Sequence, residues 1–351
     1  MDEIRYGVIG TGMMGVEHIA NVNALPGARV VAISDPHAPS RDAGEAAAAG
    51  PVSVYADHRD LLAAGECDAV VIASPNMTHV DVLADVLASD VHVLVEKPLC
   101  TTVDDCERVL EMAADRRAMV WVGLEYRYMP PVAALVRAVR EGAVGRPHMI
   151  AIREHRFPFL VKVGDWNRFN RNTGGTLVEK CCHFFDLMNL IADSPATRVY
   201  ASGGQGVNHL DERYDGETPD ILDHAFVVVD YANGIRAMLD LCMFAEATHH
   251  QEELSVVGDA GKVEALIPQN ELRRGRRGRH WIGGVESEIV HDEGIAHEGL
   301  HHGSSYVEHA RFCEAIRRGT GPEVTLVDGL RSVQLGAAAH QSIDEGRPVS
   351  L

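Results

Sequence analysis

The chain has 351 residues, 46% of them apolar, and its 51 acidic against 32 basic side chains give a formal charge of −19. That length exceeds one ordinary domain of roughly 100–200 residues and predicts two, each with apolar material for its own core. The acidic excess repels nucleic acid and anionic lipid over most of the surface, and no run of about 18 apolar residues is available to span a bilayer, so neither a nucleic-acid binder nor a membrane protein is expected.

The chain enters its first strand at once. Ile4, Val8 and Ile9 form an apolar run that ends in Gly10-Thr11-Gly12-Met13-Met14-Gly15, followed by helix-like sequence from Val16 to Leu25. In that order Gly10 permits a tight turn, Gly12 lets a pyrophosphate approach the backbone, and Gly15 lets helix pack on strand. The helix N-terminus then offers free N–H groups and a positive dipole end. A second apolar run, Ala28 to Ser34, ends in Asp35, 20 residues after Gly15, where a dinucleotide-binding unit places the carboxylate that accepts from the adenosine ribose. Asp35 would repel a 2′-phosphate, which favours NAD over NADP, although Arg41 is close enough in sequence to swing in. The immediate start, with no basic stretch and separate apolar segment, predicts no signal peptide and a cytoplasmic protein. Seven cysteines without a CxxC pair fit a reducing compartment and no metal site, with Cys181 and Cys182 as packing residues.

The alternation continues. A helix is expected over 40–49, a strand over 52–55, a helix over 58–64, a buried strand over 69–73, a helix over 78–87 and a strand over 91–95. Thr101 and Thr102 before Asp104 and Asp105 read as a helix cap, that helix runs to about Arg117, and residues 119–123 supply a sixth strand. Six strands alternating with helices describe a doubly wound, mostly parallel sheet over residues 1–124.

From Glu125 the pattern changes to an α+β domain over 125–351. A helix over 131–141 and a strand over 149–154 precede a polar and aromatic loop containing Arg156, Trp166, Asn167 and Asn172, and one long helix is expected over 176–192. Strands over 225–231 and 235–242 flank Asn233-Gly234, a type I′ hairpin signal, and strands over 253–257 and 262–266 flank Gly258-Asp259-Ala260-Gly261. The sheet is therefore expected to be open and largely antiparallel. Five arginines between Arg273 and Arg279 read as a solvated hairpin edge. Two closing helices, about 305–317 and 327–345, are free to pack back on the first domain. A sheet with one uncovered face predicts a homodimer or homotetramer.

In an open parallel sheet the ligand crevice lies beyond the strand C-termini, which here carry Ser74-Pro75-Asn76 and Glu96-Lys97-Pro98. A Glu-Lys pair closing an apolar strand is costly unless paired or functional. Taken together, GTGMMG with Asp35, ASPNMTH (73–79), HVLVEKPL (92–99), EYRYMPP (125–131), GGTLVEKCCHFFDL (174–187) and the tail from Tyr306 to Ser342 resemble, in order and spacing, the glucose-fructose oxidoreductase and inositol dehydrogenase (Gfo/Idh/MocA) family over nearly the whole chain. The resemblance implies that Lys97 is the active-site lysine and His183 the catalytic histidine. It places the family's usual acid on Glu179, where aspartate is more common. It also implies cofactor contacts at residues 10–15, Asp35, Ser74, Pro75, Asn76, His79, Glu96 and Lys97.

Glu179 and His183, four residues apart, would share one helix face and one cleft; Asp186 could orient the imidazole or carry surface charge. The implied reaction is reversible oxidation of a secondary hydroxyl on a sugar, inositol or related polyol. His183 acts as base, Lys97 polarises the oxygen, and hydride passes to nicotinamide. Tyr126, Arg127, His155, Trp166, Asn167 and Asn172 are candidate substrate binders beside Lys97 and His183, with His301 and His302 as further candidates for the pocket lining. Three alternatives stand beside this reading: a glycoside hydrolase that retains its NAD, a non-catalytic NAD-binding regulator, and a reductase of unsaturated substrates.

Overall fold

The computed structural model describes residues 3–351. The first domain comprises β1 (Ile4–Ile9), α1 (Met13–Asn23), β2 (Ala28–Ser34), α2 (Ala38–Ala47), β3 (Ser53–Tyr55), α3 (His58–Ala64), β4 (Ala69–Ile72), α4 (His79–Leu87), β5 (His92–Glu96), α5 (Val103–Ala113) and β6 (Val120–Gly123). All six strands pair in parallel, in the order β3-β2-β1-β4-β5-β6. The unbroken apolar character of β4, buried at every position, follows from helices covering both faces of a parallel sheet. Strand order reverses between β1 and β4, so the loops after these strands open a crevice at the switch point.

The second domain comprises α6 (Pro130–Arg140), β7 (Pro147–His155), α7 (Asn170–Thr173), α8 (Thr176–Glu179), α9 (Cys182–Ala192), β8 (Ala196–Gly204), β9 (His224–Tyr231), β10 (Arg236–Cys242), β11 (Glu252–Gly258), β12 (Gly261–Ile267), β13 (Glu271–Arg276), β14 (Val285–Ile289), α10 (Ser304–Arg318), α11 (Leu326–Glu345) and β15 (Val349–Ser350). Its nine strands run β14-β13-β12-β11-β7-β10-β9-β8-β15, antiparallel throughout except for the central β7–β10 pair. Alternation sorts the side chains. Ile150, Ile152, Val227, Val229, Leu239, Leu254 and Val256 enter the core beneath α6, α9 and α11, while Met149, Tyr200, Phe226, Val228 and Met238 are exposed on the other face. Of the closing helices, α10 sends Phe312 and Cys313 into the first domain's core, and α11 contributes Val333 to that core and Leu335, Ala338 and Ala339 to the second.

Two local expectations fail for physical reasons. The Asn233-Gly234 connection is not a type I′ turn, because only Gly234 has positive φ, at 92°. Tyr231 instead bonds Ile235 across a three-residue loop, with glycine in the left-handed position. The helix expected over 176–192 breaks at Lys180–Cys181 into α8 and α9. At the break the Cys181 N–H reaches back five residues to the Thr176 carbonyl at 3.4 Å, the widened spacing of a π-type turn.

Candidate active site

The crevice beyond β1, β4 and β5 holds a cavity of about 650 Å³. Gly10, Gly12, Met13, Met14, Asp35, Ser74, Pro75, Asn76, Glu96 and Lys97 line it, all expected from the sequence. Gly12 caps the N-terminus of α1, and a Cβ built there would meet nothing within 4 Å. The helix end therefore has clear space in front of it for a pyrophosphate. At Gly15 the reverse holds: a Cβ would lie 2.0 Å from the Gly10 carbonyl oxygen, so only glycine lets α1 seat against the turn. Asp35 accepts from the backbone N–H groups of Thr11 and His37, both at 2.8 Å, and still faces the cavity. Arg41 donates to the Asp35 and Pro36 carbonyls, at 2.7 and 3.0 Å. These features fit a dinucleotide whose ribose hydroxyls meet Asp35 and whose phosphates meet α1.

Three residues expected at the cofactor, Thr11, Gly15 and His79, are not among those lining this cavity. Thr11 and Gly15 shape the turn. His79 is fully buried and bridges the Pro98 and Ser74 carbonyls at 2.8 and 3.0 Å, tying together the loops that follow β5 and β4.

The inner end of the cavity holds the residues expected to carry the chemistry. Lys97 donates to the Glu179 backbone carbonyl at 3.1 Å, an acceptor close to the break between α8 and α9. Burial depresses Lys97, but Cys182, Glu96, Glu179 and Glu125 outweigh it and hold the ammonium form. The Glu179 carboxyl also lines the cavity; burial raises it to about 6 against the pull of Lys97 and Lys162, and one of its oxygens has no hydrogen-bond partner among the described residues. The α8 segment carrying Glu179 is fixed from α11, where His340 accepts from the Leu177 N–H at 3.1 Å. A Cβ on Gly175 would sit 2.3 Å from that imidazole.

His183 is the second residue of α9, 2% exposed, with its ring stacked on Tyr126 at 3.9 Å and 7° between planes. Burial, then Lys97 and Lys180, push it well below its ordinary value, so the imidazole is neutral and able to take a proton. Because the helix breaks before it, His183 does not share a continuous helix face with Glu179. It lies behind the cavity wall rather than among the lining residues. Beneath the site, Glu96 bonds His18 at 2.8 Å, and His18 bonds His309 at 2.8 Å. Burial alone would raise Glu96, but the hydrogen bond and charge of His18 overcome it and hold the carboxyl at about 2.

The substrate residues expected from the sequence divide. Trp166 lines the cavity beside Val161, Lys162 and Val163. Asn167 is buried and donates to the Leu160 carbonyl at 3.0 Å, and Asn172 donates to the Trp166 carbonyl at 2.9 Å; both brace the loop rather than face a ligand. Tyr126 is buried under His183 and takes a hydrogen bond from Lys180 at 2.7 Å. Arg127 is committed to Asp186 at 2.6 Å, so Asp186 neither orients His183 nor sits on the surface. His155 pairs with Asp240 at 3.1 Å and has the opposite strand parity to Glu154, away from the site. Sequence reasoning missed Glu154, whose carboxylate meets Lys180 at 2.9 Å, and with it Glu125, Lys162, Lys180 and Glu252. The signal was available in part. Glu154 follows Ile150 and Ile152, and Glu252 precedes Leu254 and Val256, each acid on the inward parity of an apolar alternation.

A family model described as an oxidoreductase family with NAD-binding Rossmann fold matches residues 4–124, and its companion C-terminal alpha/beta domain matches 136–351. Among curated proteins, the uncharacterized oxidoreductase YrbE of Bacillus subtilis is 28% identical, with 99% of this chain and 97% of that protein covered. Myo-inositol 2-dehydrogenase of Thermotoga maritima is 27% identical, with 99% and 98% covered. Among solved structures, levoglucosan dehydrogenase in complex with NADH and levoglucosan has a TM-score of 0.85 at 18% identity over 99% of both chains, a likeness of fold.

Proposed function

The chain belongs to the Gfo/Idh/MocA oxidoreductase family, with an NAD-binding Rossmann domain at its N-terminus, and on that premise we propose that it reversibly oxidises a secondary hydroxyl of a sugar, inositol or related polyol, with NAD preferred over NADP. The observation that carries this reading is a set of buried polar atoms without partners among the described residues: on Glu125, Glu154, Glu179, His183, Glu252 and His301. Buried polar atoms are normally bonded, because each left alone costs about 1–3 kcal/mol. Glu179 faces the cavity beside Lys97 and the others cluster behind it, a polar end to the cavity that suits a ligand dense in hydroxyl groups, each able to donate and accept.

Bound NAD supplies the hydride acceptor. His183, neutral and buried, removes the hydroxyl proton. Lys97, kept charged by its acidic neighbours, donates to the oxygen as the carbonyl develops, and Glu179 accepts from an adjacent hydroxyl. Trp166 and Val161, Lys162 and Val163 line the cavity from the second domain. Relatives named as myo-inositol and scyllo-inositol dehydrogenases support this substrate class. The exposed apolar face of the large sheet supports a homodimer or homotetramer.

The test is absorbance at the reduced-nicotinamide band with a panel of inositols, sugars and sugar acids, offered with NAD and separately with NADP. Reduction of NAD by a polyol, abolished in Lys97→Ala and in His183→Ala, supports the reading. Full turnover in either variant refutes the assigned roles, and tight NAD binding with no turnover across the panel points to the retained-cofactor hydrolase or the regulator.

A further inference from the structure

Glu125 follows β6 and Leu124 and lies below the catalytic histidine. Its side chain is 2% exposed, and neither carboxyl oxygen has a hydrogen-bond partner among the described residues. One oxygen stands 3.8 Å from Nε2 of His183 and 3.7 Å from Nδ1 of His301, so a single carboxyl spans two imidazoles. The Nδ1 of His301 has no partner either. His183 is 2% exposed, whereas the His301 side chain is 24% exposed. The three groups therefore lead from a dry interior to the surface. The outer end is fixed: the Leu300 N–H bonds the Glu17 carboxylate of α1 at 3.1 Å, and the Ser304 hydroxyl bonds the His301 carbonyl at 2.8 Å.

We propose that Glu125 relays the substrate's hydroxyl proton from His183 to His301 and so out to solvent. The inference rests on His183 being the base of the reaction proposed above. Oxidation of an alcohol releases two electrons and one proton with the hydride and a second proton from the hydroxyl. Hydride goes to NAD, and the hydroxyl proton, taken by His183, must leave before the next turnover from a site that water does not reach. A protonated carboxyl oxygen can donate its O–H while accepting at its lone pair, so the one oxygen that stands near both imidazoles can do both. It gives its proton to His301 as it takes one from the His183 imidazolium, and it ends as it began. His301 passes its proton to water. The separations are slightly longer than hydrogen bonds, as is common before a substrate tightens a site.

The surroundings keep Glu125 in the form this requires. Burial first, then Glu96, raise it to about 8, while Lys97 and Lys180 oppose. Glu308 of α10, itself pushed well up by burial, and the neutral thiol of Cys182 add no cation beside it. Burial likewise keeps His301 neutral, depressed to about 3, so it does not hold a relayed proton but releases it to water at once. Glu125 touches no reacting atom; it is a positioning residue that acts through His183.

The test uses the full chain. Ring 15N shifts of His183 and His301, recorded without cofactor, are expected to show a linked step near pH 8 as Glu125 ionises, and Glu125→Gln should remove it. With the polyol found by the absorbance panel, Glu125→Gln should lower kcat by about tenfold or more, leave KM within about threefold, and enlarge the solvent deuterium isotope effect on kcat. Glu125→Asp should recover part of the loss. A step that persists in Glu125→Gln, or a variant with wild-type kcat, pH profile and isotope effect, overturns the relay alone. A wild type that reduces NAD with no polyol overturns the reading of the reaction and the relay with it.

Discussion

Asp35→Asn separates two tasks carried by one carboxylate. In the wild type its oxygens accept the Thr11 and His37 N–H groups, each at 2.8 Å, while the side chain remains on the cavity wall. An ionised carboxylate accepts up to about four hydrogen bonds, so two acceptor directions remain for ribose hydroxyls. Asparagine retains one oxygen and turns an NH₂ toward one of the two backbone donors. A hydrogen bond to a charged group is worth about 1.5–3 kcal/mol, so the fold should lose about 1–2 kcal/mol. NAD should lose about 2 kcal/mol of binding, or roughly 30-fold in Kd. The substitution also removes the charge that repels a 2′-phosphate, so NADP binding should weaken less than NAD binding and discrimination between them should fall. Isothermal titration calorimetry with each dinucleotide reads the second effect, and a thermal melt without ligand reads the first. An NAD Kd within about threefold of wild type, or an unchanged NAD to NADP ratio, would refute the role given to Asp35.

Glu96 lies below its ordinary value of 4.5 in the fold, so the stabilisation it brings is present above pH 4.5 and fades as pH falls toward about 2. His18→Gln removes the group that holds it there and should move acid unfolding, followed by circular dichroism, to higher pH. Lys180→Met leaves the fully buried Glu154 with the longer Arg156 contact, at 3.4 Å, as its remaining cation among the described residues and should cost about 3 kcal/mol in guanidinium unfolding; adding Glu154→Leu should recover most of that. Phe226, 60% exposed on the uncovered sheet face, gives a direct test of assembly: Phe226→Asp should shift light-scattering mass toward the monomer while leaving NAD binding intact.

Local, repetitive features were legible in the sequence. Gly10, Gly12 and Gly15 have roles that follow from backbone geometry, Asp35 ends a strand at a characteristic distance, and Lys97 stands at the end of an apolar strand. What escaped depended on long-range competition. Nothing between Thr176 and Ala192 forbids a continuous helix; the break follows from tertiary contacts, including those of Lys97 with the Glu179 carbonyl and His340 with Leu177. The choice between Glu154 and His155 is one of strand parity, and a one-residue difference reverses the face. Arg127 and Asn167 have the chemistry of polyol binders, yet each is satisfied by a partner that the sequence does not place nearby: Asp186 for one and the Leu160 carbonyl for the other.

The Lys97 contact has a mechanical consequence. The ammonium group belongs to the first domain, and the carbonyl it holds belongs to a four-residue helix of the second. Opening of the cleft therefore detaches the lysine from the segment carrying Glu179, and closing returns both to register. If Lys97 and Glu179 act together as proposed, the site is complete only where the two halves meet, and a cross-link that holds them apart should lower turnover without touching a single group that meets the substrate.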